Sequence, residues 1–139
     1  MKKLLLLSFF SFLFVACKPK VSDADITKIN GYWEIQKVEL PKGGKKEYKV
    51  NETIDFFQIK DNKGFRQKVM PQLDGTYLTN EIKEIISLST VDGNYYINYS
   101  TNYGKWKEEI LEIKDSVLVL INQENLEYHY KRQIPFSLK

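Results

Sequence analysis

Tyr95-Tyr96-Ile97-Asn98-Tyr99-Ser100 and, further on, Leu126-Glu127-Tyr128-His129-Tyr130-Lys131 carry the reading of the fold. In the first, Tyr95, Ile97 and Tyr99 alternate with Tyr96, Asn98 and Ser100; in the second, Leu126, Tyr128 and Tyr130 alternate with Glu127, His129 and Lys131. Successive side chains leave a strand on opposite faces, so a period of two is the mark of a half-buried β-strand. Working outward, the same reading predicts strands over Tyr32–Leu40, Thr53–Lys60, Phe65–Met70, Thr76–Thr79, Glu84–Val91, Lys105–Lys114 and Val117–Asn122. Turn residues separate them: Lys42-Gly43-Gly44-Lys45, Asp61-Asn62-Lys63-Gly64, Asp74-Gly75, Asp92-Gly93, Asn102-Tyr103-Gly104 and Lys114-Asp115-Ser116. Asp92-Gly93 is the strongest, because a type I′ hairpin turn needs positive φ at both central residues.

Short strands at spacings of roughly ten residues predict an antiparallel meander. Closure removes its unpaired edges, and an all-β, up-and-down barrel of about eight strands is the simplest closure. Ser22, with Asp25 three residues on, predicts a short capped helix running to Ile29 ahead of the first strand. Thr79–Leu88 reads as strand after a bulge, with a helical turn as the competing reading from Ile82, Ile85 and Ile86. The apolar parity switches near Gln36-Lys37 and again at Phe56-Phe57. Such switches mark the bulges that bend a small barrel, or else strands covered on both faces.

The chain begins differently. Met1–Ala16 holds two of the 21 basic residues, none of the 18 acidic ones and four of the eight phenylalanines. An uncharged run of 13 residues, Leu4–Ala16, follows Lys2 and Lys3, and a small residue precedes Cys17. This is the pattern of an export signal. As a helix the run spans about 20 Å, short of a ~30 Å hydrocarbon core. Without it the formal charge is +1, which removes the case for a nucleic-acid partner. Phe14-Val15-Ala16-Cys17 resembles the bacterial lipobox, which implies cleavage before Cys17 and acylation of that residue; a plain signal peptide with an incidental cysteine is the competing reading. Cys17 is the only cysteine, so no internal disulfide forms. Several acyl chains hold a protein on a bilayer durably. Lys18 after the cysteine resembles the residue that releases Gram-negative lipoproteins to the outer membrane, on a periplasmic or a surface face. The expected organisation is therefore signal peptide 1–16, lipidated tether 17–25, barrel 26–133 and tail 134–139.

Gly31-Tyr32-Trp33-Glu34-Ile35, Asn62-Lys63-Gly64-Phe65 and Tyr128-His129-Tyr130-Lys131-Arg132 add a family likeness. A Gly-x-Trp first strand after a helical turn, a Gly-Phe turn and a last strand ending in aromatic-x-aromatic-basic-Arg resemble the lipocalins of the calycin group. The likeness is closest to the small lipocalin-like lipoproteins of Bacteroidetes, and it covers about residues 26–133. It implies that Trp33 plugs the closed end of the barrel beneath Arg132, with Gly31 opening the strand. It also implies a lumen that binds a ligand without catalysis. The missing disulfide and short loops depart from larger lipocalins and argue against a wide cup.

Candidate chemistry is sparse. His129 is the only histidine and alternates with Tyr128 and Tyr130, so it is expected to face solvent, away from any pocket. One histidine and no free cysteine leave no ordinary zinc constellation, and Asp23-x-Asp25 lacks the other oxygens and the glycine of a calcium loop. Glu108 and Glu109 are adjacent in a strand and point to opposite faces. No enzyme, metal or cofactor is expected. The residues expected to face inward are Phe57, Phe65, Tyr77, Ile97, Tyr99, Trp106, Tyr128 and Tyr130, either lining a site for a small, largely apolar molecule or simply forming the core. The second functional reading is a filled barrel that binds another envelope protein, as an assembly factor, inhibitor or immunity protein does.

Overall fold

The computed structural model describes residues 20–137; the export signal and Cys17 lie outside them. A four-residue helix α1 (Asp23–Ile26) and a 3₁₀ turn (Thr27–Ile29) lead into nine strands. The Asp25 carboxylate accepts hydrogen bonds from both the backbone N–H and the hydroxyl of Ser22, which closes the helix start as the spacing predicts. The strands are β1 (Gly31–Glu39), β2 (Lys45–Glu47), β3 (Ile54–Lys60), β4 (Lys63–Pro71), β5 (Tyr77–Val91), β6 (Asn94–Thr101), β7 (Gly104–Ile113), β8 (Val117–Asn122) and β9 (Glu127–Arg132).

Each strand pairs antiparallel with its neighbour, and β9 returns to β1, with Trp33 opposite Arg132 and Glu39 opposite Glu127. Eight strands thus form a closed up-and-down barrel. The ninth, β2, is a short addition to the far half of β1, pairing Lys45–Glu47 with Lys37–Glu39 inside a segment whose glycines read only as a turn. The two separate strands predicted at Thr76–Thr79 and Glu84–Val91 are one bent strand, β5. It stays extended because three of its residues stand opposite Lys68 alone, between the pairs Val69–Thr79 and Gln67–Lys83, and Glu81 takes a φ of +63° there. The helical reading of that stretch is excluded.

One of the two bulges expected at the parity switches is present. The β1–β9 register shifts between Ile35 and Lys37, at the parity switch. β3 has none, running in unbroken register against β4 from Ile54 to Lys60. Its adjacent apolar residues are explained by cover on both faces: Phe57 is buried in the lumen, while Phe56 lies on the outer wall against Tyr32. A third bulge lies in β7 between Ile110 and Glu112. The hairpin turns at Asp61-Asn62 (φ +52° and +63°) and Asp92-Gly93 (φ +51° and +78°) have the positive φ values of type I′.

The core gathers Ile26, Ile29, Trp33, Phe57, Ile86, Ile97, Tyr99, Ile110, Ile113, Leu118, Leu120 and Tyr130. Most of this apolar volume lies toward the end where α1 and the 3₁₀ turn cap the barrel. The other end, where β1, β4, β6 and β8 finish, carries the longer β1–β2, β2–β3, β4–β5 and β8–β9 connections.

Candidate binding site in the open half of the barrel

At the closed end Trp33 is fully buried, and its indole N–H donates to the Ile29 carbonyl at 2.8 Å. The Arg132 guanidinium sits 4.2 Å from the centre of the Trp33 ring. Its N–H groups donate to three backbone carbonyls, Lys28, Asn30 and Asp115, so one side chain ties the capping turn, the start of β1 and the β7–β8 turn together. Gly31 makes room for it: φ is +121°, and a Cβ there would lie 2.7 Å from Arg132 Nη1.

Above this plug the lumen turns polar. Strand alternation aims Asp55 (β3), Arg66 and Lys68 (β4), Glu84 (β5) and Glu108 (β7) inward. Arg66 forms a two-pronged pair with Glu84, Nε to Oε1 and Nη2 to Oε2, each 2.8 Å. Its Nη1 donates to the Tyr99 hydroxyl at 3.4 Å and lies 3.6 Å from Glu108 Oε1, and its plane is 4.4 Å from the Tyr99 ring centre. Lys68 Nζ is 2.6 Å from Asp55 Oδ1. Three carboxylates therefore face two cations. The Glu108 side chain is 7% exposed, and its Oε1 accepts no hydrogen bond from the described residues.

Burial raises the Glu108 carboxyl above the ordinary carboxylate range, and the Tyr99 hydroxyl and Arg66 pull it back only in part. Burial also raises the phenols of Tyr99 and Tyr130, reinforced by Glu108 for Tyr99 and by Asp55 for Tyr130. Desolvation works against the Arg66 charge, but Tyr99, Glu84 and Asp55 outweigh it and hold the guanidinium firmly protonated.

Of the residues expected to face inward, Phe57, Ile97, Tyr99, Trp106, Tyr128 and Tyr130 do so. Trp106 stacks on Tyr99 at 5.2 Å, and the Tyr128 hydroxyl accepts a hydrogen bond from Asn122. Phe65 and Tyr77 do not. Phe65 stands opposite Gln58 and Ile85, on the opposite parity to lumen-facing Arg66, and Lys83 lies over its ring at 4.2 Å. Tyr77 stacks on Tyr32 at 3.8 Å outside the wall and donates to Gln133, just after β9. The outer wall has its own aromatic cover of Tyr32, Phe56, Phe65 and Tyr77. His129 points outward, between Glu127 and Glu39. Glu108 and Glu109 diverge, Glu108 inward.

The charged lumen cluster is absent from the sequence reading, although one signal for it existed: Glu108 shares its parity with Trp106, and Asp55 with Phe57. Two recesses indent the barrel wall. One of about 420 Å³ crosses β5–β7 beside Ser87, Asn98, Ser100, Lys105 and Lys107. Another of about 450 Å³ lies between Asn51, Ile54, Met70, Pro71 and Phe136.

The sequence profile described as "Lipocalin-like domain" matches residues 29–120, from the capping turn and the Gly-x-Trp strand into β8. The chain belongs to the lipocalin-like domain family. Among solved structures this lipocalin-like domain is similar to a lipocalin-like protein from Bacteroides uniformis ATCC 8492, with 17% identity and a TM-score of 0.49 over 76% of this chain and 99% of that one. No curated protein matches the sequence.

Proposed function

We propose that this is a lipid-anchored, lipocalin-like binding protein of the bacterial outer membrane, holding a small ligand in the open half of its barrel without transforming it. Glu108 carries the reading. A buried carboxylate oxygen that Arg66 reaches only at 3.6 Å and that accepts no hydrogen bond, in a cluster of three carboxylates and two cations, is a costly arrangement that a ligand's hydrogen-bond donor or positive charge relieves. The expectation of a largely apolar ligand is thereby sharpened to an amphipathic one, with an apolar body against Trp106, Tyr128 and Val38 and a donor or cationic head toward Glu108. The anchor rests on the lipobox at Phe14–Cys17 and its destination on Lys18.

Native mass spectrometry of the protein extracted from membranes tests this directly. A co-purifying small molecule that is lost from Glu108→Gln supports the reading. An adduct-free protein whose tryptophan emission also fails to respond saturably to an alkylamine overturns it.

The outer wall favours a second reading. Beside the aromatic cover of Tyr32, Phe56, Phe65 and Tyr77, Ile85, opposite Phe65 in the ladder, is more than half exposed. Apolar area of this kind suits a protein partner in the envelope. Crosslinking from position 85 in cells separates the two: a single specific adduct supports a partner surface, and none supports the lumen.

A further inference from the structure

On the outer wall, where β9 closes against β1, three donor atoms from separate side chains meet. Glu127 and His129 are two residues apart in β9 and so share a face, and Glu39 lies directly across the ladder from Glu127. His129 Nε2 is 2.9 Å from Glu127 Oε1 and 3.6 Å from Glu39 Oε2, and all three donors lie within 4.8 Å of one another. We propose that Glu39, Glu127 and His129 form a binding site for a divalent transition-metal ion of the zinc class.

The His129 Nε2 is buried at its tip, with a carboxylate oxygen of Glu127 on one side and one of Glu39 on the other. Two donors bound at right angles to one ion at about 2.1 Å stand about 3 Å apart, and donors at a tetrahedral angle about 3.4 Å apart. The observed separations of 2.9 and 3.6 Å bracket that range. The other oxygen of Glu39 is held by Lys37 Nζ at 2.7 Å, which fixes the carboxylate and leaves Oε2 toward His129.

Two carboxylates balance the charge of a dication. The imidazole selects zinc and its neighbours over magnesium or calcium. All three side chains are partly exposed, so water completes the coordination. Sequence reasoning set His129 aside because no second histidine or cysteine accompanies it. The Glu-x-His spacing on one strand face was the available signal, and Glu39 enters only through barrel closure. This site lies outside the lumen and does not depend on the ligand reading.

The test uses the full chain in detergent, with Cys17 acylated or replaced by serine so that no thiol competes for the ion. His129 is the only histidine, so carbethoxylation by diethyl pyrocarbonate reports on it alone. Zinc chloride is expected to slow the modification tenfold or more, saturably, with magnesium chloride at the same concentration having no effect. Calorimetry is expected to find one zinc ion per chain, bound at least tenfold more weakly in Glu127→Gln and in Glu39→Gln and not at all in His129→Ala. Unprotected His129 in millimolar zinc overturns the proposal, and so does zinc affinity unchanged in the folded variants. The wild-type protection assay decides the matter if a variant fails to fold.

Discussion

Replacing Trp33 with alanine removes the largest fully buried side chain from the closed end of the barrel. Truncating a buried tryptophan costs ~3–5 kcal/mol through lost transfer energy and the cavity left behind. The Ile29 carbonyl loses the indole N–H that donates to it at 2.8 Å, worth ~1 kcal/mol. Arg132 loses the ring 4.2 Å below its guanidinium, worth ~1 kcal/mol more at a partly desolvated site. These losses share one cavity and do not sum in full, which leaves roughly 4–6 kcal/mol. At about 4–8 °C per kcal/mol for a domain near 100 residues, the thermal midpoint is expected to fall by at least about 15 °C. Trp33→Phe keeps most of the volume but not the N–H, and is expected to lose about 5–15 °C. Circular dichroism melts of wild type and both variants measure this. A Trp33→Ala protein melting within a few degrees of wild type refutes the plug, and equal losses in the two variants refute the role given to the indole hydrogen bond.

Glu108→Gln is expected to stabilise the ligand-free protein at neutral and alkaline pH by ~1–3 kcal/mol, the cost of a buried polar group without its partner. The folded-state carboxyl is raised above its unfolded value, so the wild type loses stability as pH rises through that window while the glutamine variant does not. Urea titrations across the carboxylate range should therefore converge at acid pH and separate above it, and parallel curves refute the assignment. Gly31→Ala sets a Cβ 2.7 Å from Arg132 Nη1 at a φ of +121° and is expected to cost about 1–3 kcal/mol, read as a lower urea midpoint. Phe57→Ala is expected to cost ~3–5 kcal/mol and Phe65→Ala under about 1.5 kcal/mol, because only the first ring fills the lumen; equal losses contradict the facing assigned here. Cys17→Ser is expected to abolish fatty-acid labelling and move the protein from the membrane to the soluble fraction, and continued labelling refutes the anchor.

How far the sequence could be read follows from what each signal encodes. Period-two alternation places side chains on faces without saying which face is inside, and it works where one face is apolar throughout, as in Tyr95–Tyr99 and Leu126–Tyr130. It fails in β3, β4 and the start of β5, because the outer wall carries Tyr32, Phe56, Phe65 and Tyr77 while the lumen carries Asp55, Arg66 and Lys68. The usual contrast is inverted there, and apolarity points outward. Glycine and aspartate turns were legible because backbone φ is a local property. β2 was not: three charged or polar residues have no apolar face, and only the exposed edge of β1 makes Lys45–Glu47 a strand. The convergence of Glu39 on Glu127 and His129 is a product of ring closure, a long-range event that no local pattern records.

The two ends of the barrel also differ in what they contribute to folding. The closed end is apolar, sealed by Trp33, and has its polar groups matched through Arg132. The open half holds Arg66, Glu84, Glu108 and Asp55 where desolvation is expensive. Buried ion pairs are often no better for stability than well-packed apolar residues of the same volume. A lumen built for stability alone would have continued the packing of Ile86, Ile97 and Leu120 upward. Filling this space with an arginine held on both sides by carboxylates, one of which, Glu108 Oε1, it reaches only at 3.6 Å and without a hydrogen bond, trades folding energy for a preorganised polar surface. That surface is of use only when something docks against it. The plug and the site therefore act in opposite directions: loss of Trp33 or Arg132 is expected to lower the melting temperature, whereas loss of the Glu108 charge is expected to raise stability and lower occupancy.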